Sequence, residues 1–200
     1  MKILLHFSIL TFLAAGLAGC GTTQVDRVAV EEIVDLSGRW NDSDSSLVAA
    51  EMIGQVFDHS WANDFIARTG KKPVVIVGTI RNMSSEHLET GVFAKDIERE
   101  LVNSGKVKFV ANANERTEIR QERLEQQQFS TEETAKRLAA ETGADYMLKG
   151  SIKTQMDVEG RRQVKFYQTD LELIHIESNE KVWIGTKKIK KLVKKPRFKI

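Results

Sequence analysis

Apolar residues recur at spacings of three and four along residues 45–68, which is the first long pattern after a polar stretch. This periodicity predicts one amphipathic helix, because side chains three or four positions apart lie on the same helical face. The residues that this helix would bury are Ala49, Ile53, Val56, Phe57, Trp61 and Phe65. The helix is therefore expected to pack against another part of the fold.

Two further segments carry a helical stripe and clear end signals. Residues 90–103 place Phe93, Ile97 and Leu101 on one face, and Gly105 predicts the C-terminal cap. Residues 130–142 open with Ser130 and Glu133 in capping-box register and stop before Gly143. Both segments are predicted to be helices that pack on the sheet.

The segment 113–128 is charged on nearly every side. Only Ile119 and Leu124 are available for burial. We predict a helix here that is mostly solvated or that meets a partner.

Consecutive apolar residues identify the first strand, since Val74 to Val77 are all β-branched. Such a run is typical of a central strand with both faces covered, so we expect a helix on each side of it. Residues 107–110 predict a short second strand, and another strand is expected after Gly143.

The last part of the chain predicts a β-hairpin. Two long strands, at residues 161–176 and 180–191, are joined by the turn sequence ESNE, and Val182, Ile184 and Thr186 alternate on one face. The predicted fold class is α/β (α+β), a single domain over residues 44–191. It would have a mixed sheet of about four or five strands, with helices packed on it.

The first 19 residues have the pattern of a lipoprotein signal peptide. Lys2 gives a positive start, and the apolar run at residues 3–17 is too short to span a bilayer comfortably. The run ends in Leu-Ala-Gly-Cys, which resembles a bacterial lipobox, so Cys20, the only cysteine, is predicted to carry lipid. An ordinary secretory signal that happens to contain cysteine is the alternative.

Lipid on Cys20 predicts attachment to a membrane, because each buried methylene contributes about 0.8 kcal/mol. Gly21 follows, and similarity to enterobacterial lipoproteins, in which aspartate at that position favours inner-membrane retention, implies outer-membrane sorting. Residues 20–43 are the lipidated N-terminus and a short linker. With about 15 to 24 residues, the linker reaches at most about 50 to 85 Å. Whether it reaches an inner-membrane partner stays open.

The C-terminal end is strongly basic, with eight Lys and Arg and no acid over residues 187–200. Removing these charges and Lys2 from the total of +2 leaves −7 for residues 20–186. Export of the chain argues against nucleic acid as the partner. The basic tail, placed beyond the domain at residues 192–200, is interpreted as a solvated terminus or as a contact. The contact would be with anionic lipid head groups, an acidic envelope polymer or an acidic protein face.

Trp40 is a large aromatic residue in the polar stretch DLSGRWNDSD, residues 35–44. It fits two roles: a staple or lid that closes one end of the core, or an anchor for a partner. In the first role, Asp44 or a neighbouring serine would be the N-cap of the following helix. In the second, Trp40, Asn41 and Asp42 are the candidate partner-binding residues.

The sequence offers no convincing enzymatic site. Gly-x-Ser-x-Gly, Lys-Thr-Gly and glycine-rich phosphate loops are absent. His59, His87 and His175 are widely separated and form no close ligand pair. The many glutamates have Lys and Arg neighbours, as on solvated helical faces. We predict no catalytic residue, no cofactor and no metal.

Together these features resemble the Lpo-type lipoproteins that activate penicillin-binding proteins, over nearly all of the mature chain. The resemblance rests on the lipobox and on DLSGRWNDSDS, VVIVGTIRNMSSEHLETGVFAKDIERELVNSGKVKFV, ETGADYMLKGSI and LELIHIESNEKVWIG. The opening motif Asp-x-Ser-Gly-x-Trp-Asn-Asp, its most specific part, falls on Asp35, Ser37, Gly38, Trp40, Asn41 and Asp42. Similar domains occur in the translocation protein TolB and in curli-secretion lipoproteins.

The resemblance implies an outer-membrane lipoprotein that faces the periplasm and has no active site of its own. It would dock on a penicillin-binding protein, an inner-membrane peptidoglycan synthase, and stimulate its glycosyltransferase and transpeptidase activities. The alternative function is a peripheral structural or assembly lipoprotein of an envelope secretion complex, as the curli-type relatives suggest.

Overall fold

The computed structural model describes residues 26–29, 32–111, 113–127 and 143–194. The chain divides into two units between Glu32 and Ile33, and all the elements described below belong to the second unit. The predicted signal peptide, Cys20, the helix predicted at residues 130–142 and the last six residues of the basic tail lie outside the described residues. Within the described ranges, no helix has the length and apolar character to cross a bilayer.

The described residues contain four helices: α1 (Asp42–Asp58), α2 (Trp61–Thr69), α3 (Thr90–Asn103) and α4 (Ala113–Gln127). The single helix predicted over residues 45–68 is wrong, because His59 adopts extended backbone angles and separates α1 from α2. The indole Nε1 of Trp61 donates to the Val56 carbonyl at 2.8 Å across this break. The apolar stripe thus remains continuous although the helix does not.

Five strands form one sheet: β1 (Val74–Met83), β2 (Lys108–Phe109), β3 (Tyr146–Glu159), β4 (Arg162–His175) and β5 (Lys181–Lys194). Their order is β2-β1-β3-β4-β5. β1 is parallel to β2 and β3, whereas the β3–β4 and β4–β5 pairs are antiparallel. The mixed sheet and the α+β class are as predicted.

Both antiparallel pairs are long hairpins. The β4–β5 hairpin confirms the prediction for the end of the chain, with Asn179 in the left-handed region of its turn (φ 60°). The β3–β4 hairpin turns at Gly160 (φ 55°) and carries β3 well beyond its apolar start. β5 continues to Lys194, so the first part of the basic stretch is a strand rather than a free terminus.

Helices α1 and α3 pack on one face of the sheet, where they contact each other, β1, β2 and β5. The fully buried residues of this layer include Val48, Met52, Val56, Val75, Phe93, Ile97, Leu101, Leu148, Ile152, Tyr167, Leu171 and Leu173. Each large apolar side chain buried in this way stabilises the fold by about 1.5–3 kcal/mol. On α4, by contrast, Ile119 is exposed, which agrees with the prediction of a helix that is mostly solvated or meets a partner.

Candidate partner-binding surface

The opening segment, residues 35–41, is fixed to the domain by Lys191 of β5. Lys191 Nζ lies 2.6 Å from a carboxylate oxygen of Asp35, 2.6 Å from one of Asp44, and 3.1 Å from the Arg39 carbonyl. Burial lowers the pKa of the Lys191 ammonium, but the two carboxylates outweigh burial and raise the pKa above its ordinary value. A segment that the sequence assigns to the linker is therefore held on the end of the sheet.

Asn41 is the N-cap of α1, in place of Asp44 or the serines expected from the sequence. Its Oδ1 accepts from the Asp44 backbone N–H at 3.0 Å, and Asp44 Oδ2 accepts from the Asn41 backbone N–H at 3.0 Å. The two residues form a complete capping box. The Asn41 amide also donates to Asp35 at 2.9 Å, which ties the cap to the opening segment.

Trp40 is half-buried at the end of the core. Its ring meets Phe93 edge-on, with the ring centroids 5.8 Å apart, and meets Tyr167 at 5.7 Å. The indole Nε1 donates to Ser45 Oγ at 2.8 Å, so its polar group is satisfied inside the fold. Trp40 therefore closes this end of the core, which is the first of the two roles that its sequence context allows.

A nearly buried ion pair lies beneath the opening segment. Lys165 Nζ of β4 is 2.7 Å from Glu86 Oε1, and their side chains are only 7% and 10% exposed. Tyr167 Oη donates to the other Glu86 oxygen at 2.7 Å and lies 3.3 Å from the Gly38 carbonyl oxygen. This cluster fixes the loop after β1 beneath the opening segment.

Burial raises the pKa of the Glu86 carboxyl, but hydrogen bonds from Lys165 and Tyr167 outweigh burial and bring it below its usual value. Burial and the neighbouring Glu86 carboxylate raise the pKa of the Tyr167 hydroxyl. Sequence reasoning missed this cluster. The sequence feature that could have indicated it is Lys165, which occupies an inward position of β4, where the other inward residues are mostly apolar.

A groove of about 310 Å³ runs beside Trp40. Its lining residues are Trp40, Asn41, Asp42, Ser45, His87, Leu88, Glu89 and Val92. We call this site the Trp40 groove. It brings together the three predicted partner-binding residues and adds the loop before α3, which the sequence did not indicate.

The floor and rim of the Trp40 groove differ in chemistry. Trp40, Leu88 and Val92 supply apolar surface. Acidic groups come from Asp42 in the first turn of α1 and from Glu89, the N-cap residue of α3. Glu89 also accepts from the Gly91 backbone N–H at 3.2 Å and so caps α3. Such a groove suits an apolar side chain followed by a basic group.

The histidines of the described residues belong to separate parts of the fold. His59 follows α1, His87 lies in a loop and His175 ends β4, so the structure does not bring the three together on one element. Among the residues that the structure describes, no group of three or more His, Cys, Asp or Glu is placed to hold a metal ion.

A second cavity of about 480 Å³ lies at the end of the sheet where β4 stops, and includes His175 and Ser178. Ser178 and Lys181 have the Ser-x-x-Lys spacing of some acyl-transfer enzymes. However, Ser178 Oγ lies 2.8 Å from His175 Nδ1, and Lys181 Nζ lies 2.9 Å from Glu172. Both contacts stabilise the hairpin, and the serine and lysine have separate partners.

The fold is similar to several solved structures. The C-terminal domain of LpoB from Escherichia coli is 17% identical, with a TM-score of 0.41 and coverage of 73% of this chain and 98% of that chain. The corresponding Salmonella enterica domain is 19% identical, with a TM-score of 0.36, covering 64% of this chain and 91% of that chain. PelC from Paraburkholderia phytofirmans, a dodecamer, is 18% identical with a TM-score of 0.32, covering 60% and 71%.

At these sequence identities and TM-scores, the structural similarities support no conclusion about function. No curated protein sequence matches the chain significantly. The sequence profile of a family described as "Peptidoglycan-synthase activator LpoB" does match, over residues 44–189, which is most of the chain. The matched region runs from the first turn of α1 into β5, so it covers strands β1 to β4, the first part of β5 and nearly all of the described helices. The chain therefore belongs to the LpoB family of peptidoglycan-synthase activators.

Proposed function

We propose that this chain is a lipid-anchored periplasmic regulator that binds a peptidoglycan synthase and stimulates it. The observation that carries the proposal is the family match over residues 44–189. In this proposal the synthase, a penicillin-binding protein, supplies the active sites, and the present chain supplies a binding surface without a reaction of its own.

The Trp40 groove is the proposed docking surface. Trp40 and Asp42 present atoms to a partner, because the Trp40 ring lines the groove and Asp42 is exposed. Asn41 acts as a positioning residue, since its side chain is used in the capping box. Val92 adds exposed apolar surface beside them. A central apolar anchor with charged groups at its edge is the usual composition of an energetic hot spot.

Anchoring at Cys20 completes the proposal. The lipid would hold the chain on the outer membrane, facing the periplasm. Replacing Cys20 with alanine should move the protein from the membrane fraction to the soluble fraction, and mass spectrometry should show acyl chains only on the unchanged protein. A Cys20→Ala variant that fractionates with membranes to the same extent as the parent would contradict lipid anchoring.

The primary test is glycan polymerisation by the bifunctional synthase of the same organism, with and without residues 21–200. A saturable, several-fold stimulation is expected, because an activator acts through a binding equilibrium. A control without the synthase should give no product and no breakdown of peptidoglycan. Neither stimulation nor binding at high concentration would sink the proposal.

The docking surface is tested by two matched valines on α3. Val92 is 50% exposed inside the Trp40 groove, and Val102 is 53% exposed on the same helix outside it. Val92→Gln should weaken synthase binding about fivefold or more, because apolar contact area is lost at the centre of the site. Val102→Gln should leave binding unchanged. Equal effects of the two substitutions would remove the groove from the interface.

A further inference from the structure

The pleat of β5 divides its lysines into two groups. Lys187 and Lys191 face the helices and are paired, with Glu51 and with Asp35 and Asp44 respectively. The intervening positions face the opposite side of the sheet, since successive side chains of a strand alternate. The lysines at those positions are Lys188, Lys190 and Lys194, which are exposed and make no ion pair with any described residue.

Apolar side chains accompany these three lysines, and Lys188 Nζ lies over the Phe166 ring, 6.0 Å from its centroid. Leu192 lies between Lys190 and Lys194 and is 60% exposed. On the neighbouring strand, Phe166 is the register partner of Lys190, and Arg162 is the partner of Lys194. We call this surface the basic-apolar patch, consisting of Arg162, Phe166, Lys188, Lys190, Leu192 and Lys194. Lysines alone are a common way to protect an edge strand from pairing, but that function does not need an exposed leucine among them.

The patch lies where the N-terminal part of the chain joins the domain. Lys191, within the same stretch of β5, holds Asp35 at 2.6 Å. Gly38 packs directly on Val193, because a methyl group added at Gly38 would overlap the Val193 side chain. Between Cys20 and Asp35 the chain can extend at most about 50 Å. A lipid at Cys20 would therefore hold this corner of the sheet within about 50 Å of the anchoring membrane.

We propose that the basic-apolar patch docks on the anionic phospholipid surface of the membrane that holds the lipid anchor. The proposal rests on lipidation of Cys20 in the proposed function. An unpaired cationic group close to an anionic leaflet strengthens binding by a factor of about five, and an exposed leucine adds apolar burial at the head-group level. Helices α1 and α3 lie on the other face of the sheet, so docking leaves the Trp40 groove open to the synthase.

The test measures binding of residues 21–200, which lack the lipid, to sedimented vesicles. Vesicles of equal parts phosphatidylglycerol and phosphatidylcholine are compared with vesicles of phosphatidylcholine alone, at low and at high salt. The variant carries Lys188→Gln, Lys190→Gln and Lys194→Gln. The control carries Lys71→Gln, Lys106→Gln and Lys108→Gln, which remove the same charge from exposed lysines elsewhere.

The parent should bind only the vesicles with phosphatidylglycerol and should be released by salt. The patch variant should partition about 100-fold more weakly, because each of the three lysines contributes a factor of about five, while the control stays within about twofold. A single Leu192→Gln variant, expected to weaken binding severalfold, replaces the triple variant if thermal unfolding shows that the latter is damaged.

Three results would overturn the proposal. They are parental binding that does not depend on phosphatidylglycerol, equal loss in the variant and its control, and binding to a soluble acidic polysaccharide without binding to vesicles. The last result would assign the patch to an envelope polymer. Because no synthase is present, failure here leaves the activator function intact. Stimulation of the synthase in detergent tests that function separately.

Discussion

At the scale of single residues, the opening segment combines structural and binding roles. The Trp40 ring packs on Phe93 and Tyr167, while part of its surface lines the groove. Removing the ring therefore changes the stability of the fold and the proposed docking surface together. The two effects must be measured separately before a loss of stimulation is attributed to lost contacts with a partner.

Trp40→Ala should lower the free energy of unfolding by about 2–4 kcal/mol, somewhat less than for a fully buried tryptophan. Trp40→Phe retains an aromatic ring and loses the 2.8 Å hydrogen bond to Ser45, so a loss of about 1 kcal/mol is expected. Urea unfolding monitored by circular dichroism measures both values. A change below about 0.5 kcal/mol for Trp40→Ala would show that the ring is not part of the core.

The Glu86–Lys165 pair makes stability depend on pH in a defined direction. The pKa of Glu86 in the folded protein lies below its ordinary value of 4.5. Its contribution to stability is therefore fully present above the unfolded pKa and is lost as the pH falls through the folded pKa. Glu86→Gln should cost about 3–5 kcal/mol at pH 7, because it leaves the Lys165 ammonium nearly buried and unpaired.

The difference between Glu86→Gln and the parent should shrink steadily below about pH 4.5. Adding Lys165→Met to Glu86→Gln should recover most of the loss at pH 7, because an apolar side chain then fills the site. Unfolding free energies measured from pH 3 to pH 7 for the parent, both single variants and the double variant test this. A difference that stays constant over that range would contradict the ionic interpretation.

At the scale of elements, β5 is the C-terminal strand of the domain, and its lysines hold the N-terminal end of the domain in place. Lys191 connects the opening segment to α1 through Asp35 and Asp44. Lys187 adds an ion pair with Glu51 further along α1. Part of the basic stretch that looks like a tail in the sequence is therefore a strand that stabilises the domain.

Lys191→Met should loosen the opening segment without unfolding the sheet. Amide hydrogen exchange at residues 35–41 should accelerate at least tenfold, while β1 and α3 keep their protection, because local contacts are lost and the core is retained. Lys190→Met is the matched control, since the neighbouring side chain points to the opposite face. Faster exchange in both variants would indicate a general effect of lost charge.

Periodicity was sufficient for most elements but not for their boundaries. The helical spacing of Trp61 and Phe65 continues that of α1, so the break at His59 leaves no trace in the apolar pattern. The far half of β3, residues 153–159, is mostly polar and exposed, and its pairing with β4 extends it as a strand. Partner strands decide such segments, and a local pattern contains no information about them.

The candidate site also contains contacts that the local sequence pattern could not predict. The sequence identified Trp40, Asn41 and Asp42 as a unit, since they are adjacent. It did not show that Glu86 and Lys165, 79 positions apart, would form a nearly buried pair beneath them. Contacts between distant positions follow from the sheet order, which periodicity alone does not specify.

At the scale of the whole molecule, the distance that the tether can reach limits function. Residues 35–41 are fixed to the domain, so in the proposed function the chain from Cys20 to Val34 is the tether to the lipid anchor. Fully extended, these 15 residues span at most about 50 Å. The proposed activator must therefore meet a synthase that protrudes towards the anchoring membrane, and the tether should have little length to spare.

Deleting residues 22–29 shortens the tether by about 28 Å and leaves the compact unit of residues 33–200 unchanged. Cross-linking to the synthase in intact cells should then be lost. In detergent, where no membrane separates the partners, the purified deletion variant should still stimulate glycan polymerisation like the parent. Replacing residues 22–29 with eight Gly and Ser residues is the control and should preserve both activities, because the contour length is kept. Cross-linking that survives the deletion would show that reach is not limiting, and loss of stimulation in detergent would show that residues 22–29 act directly on the synthase.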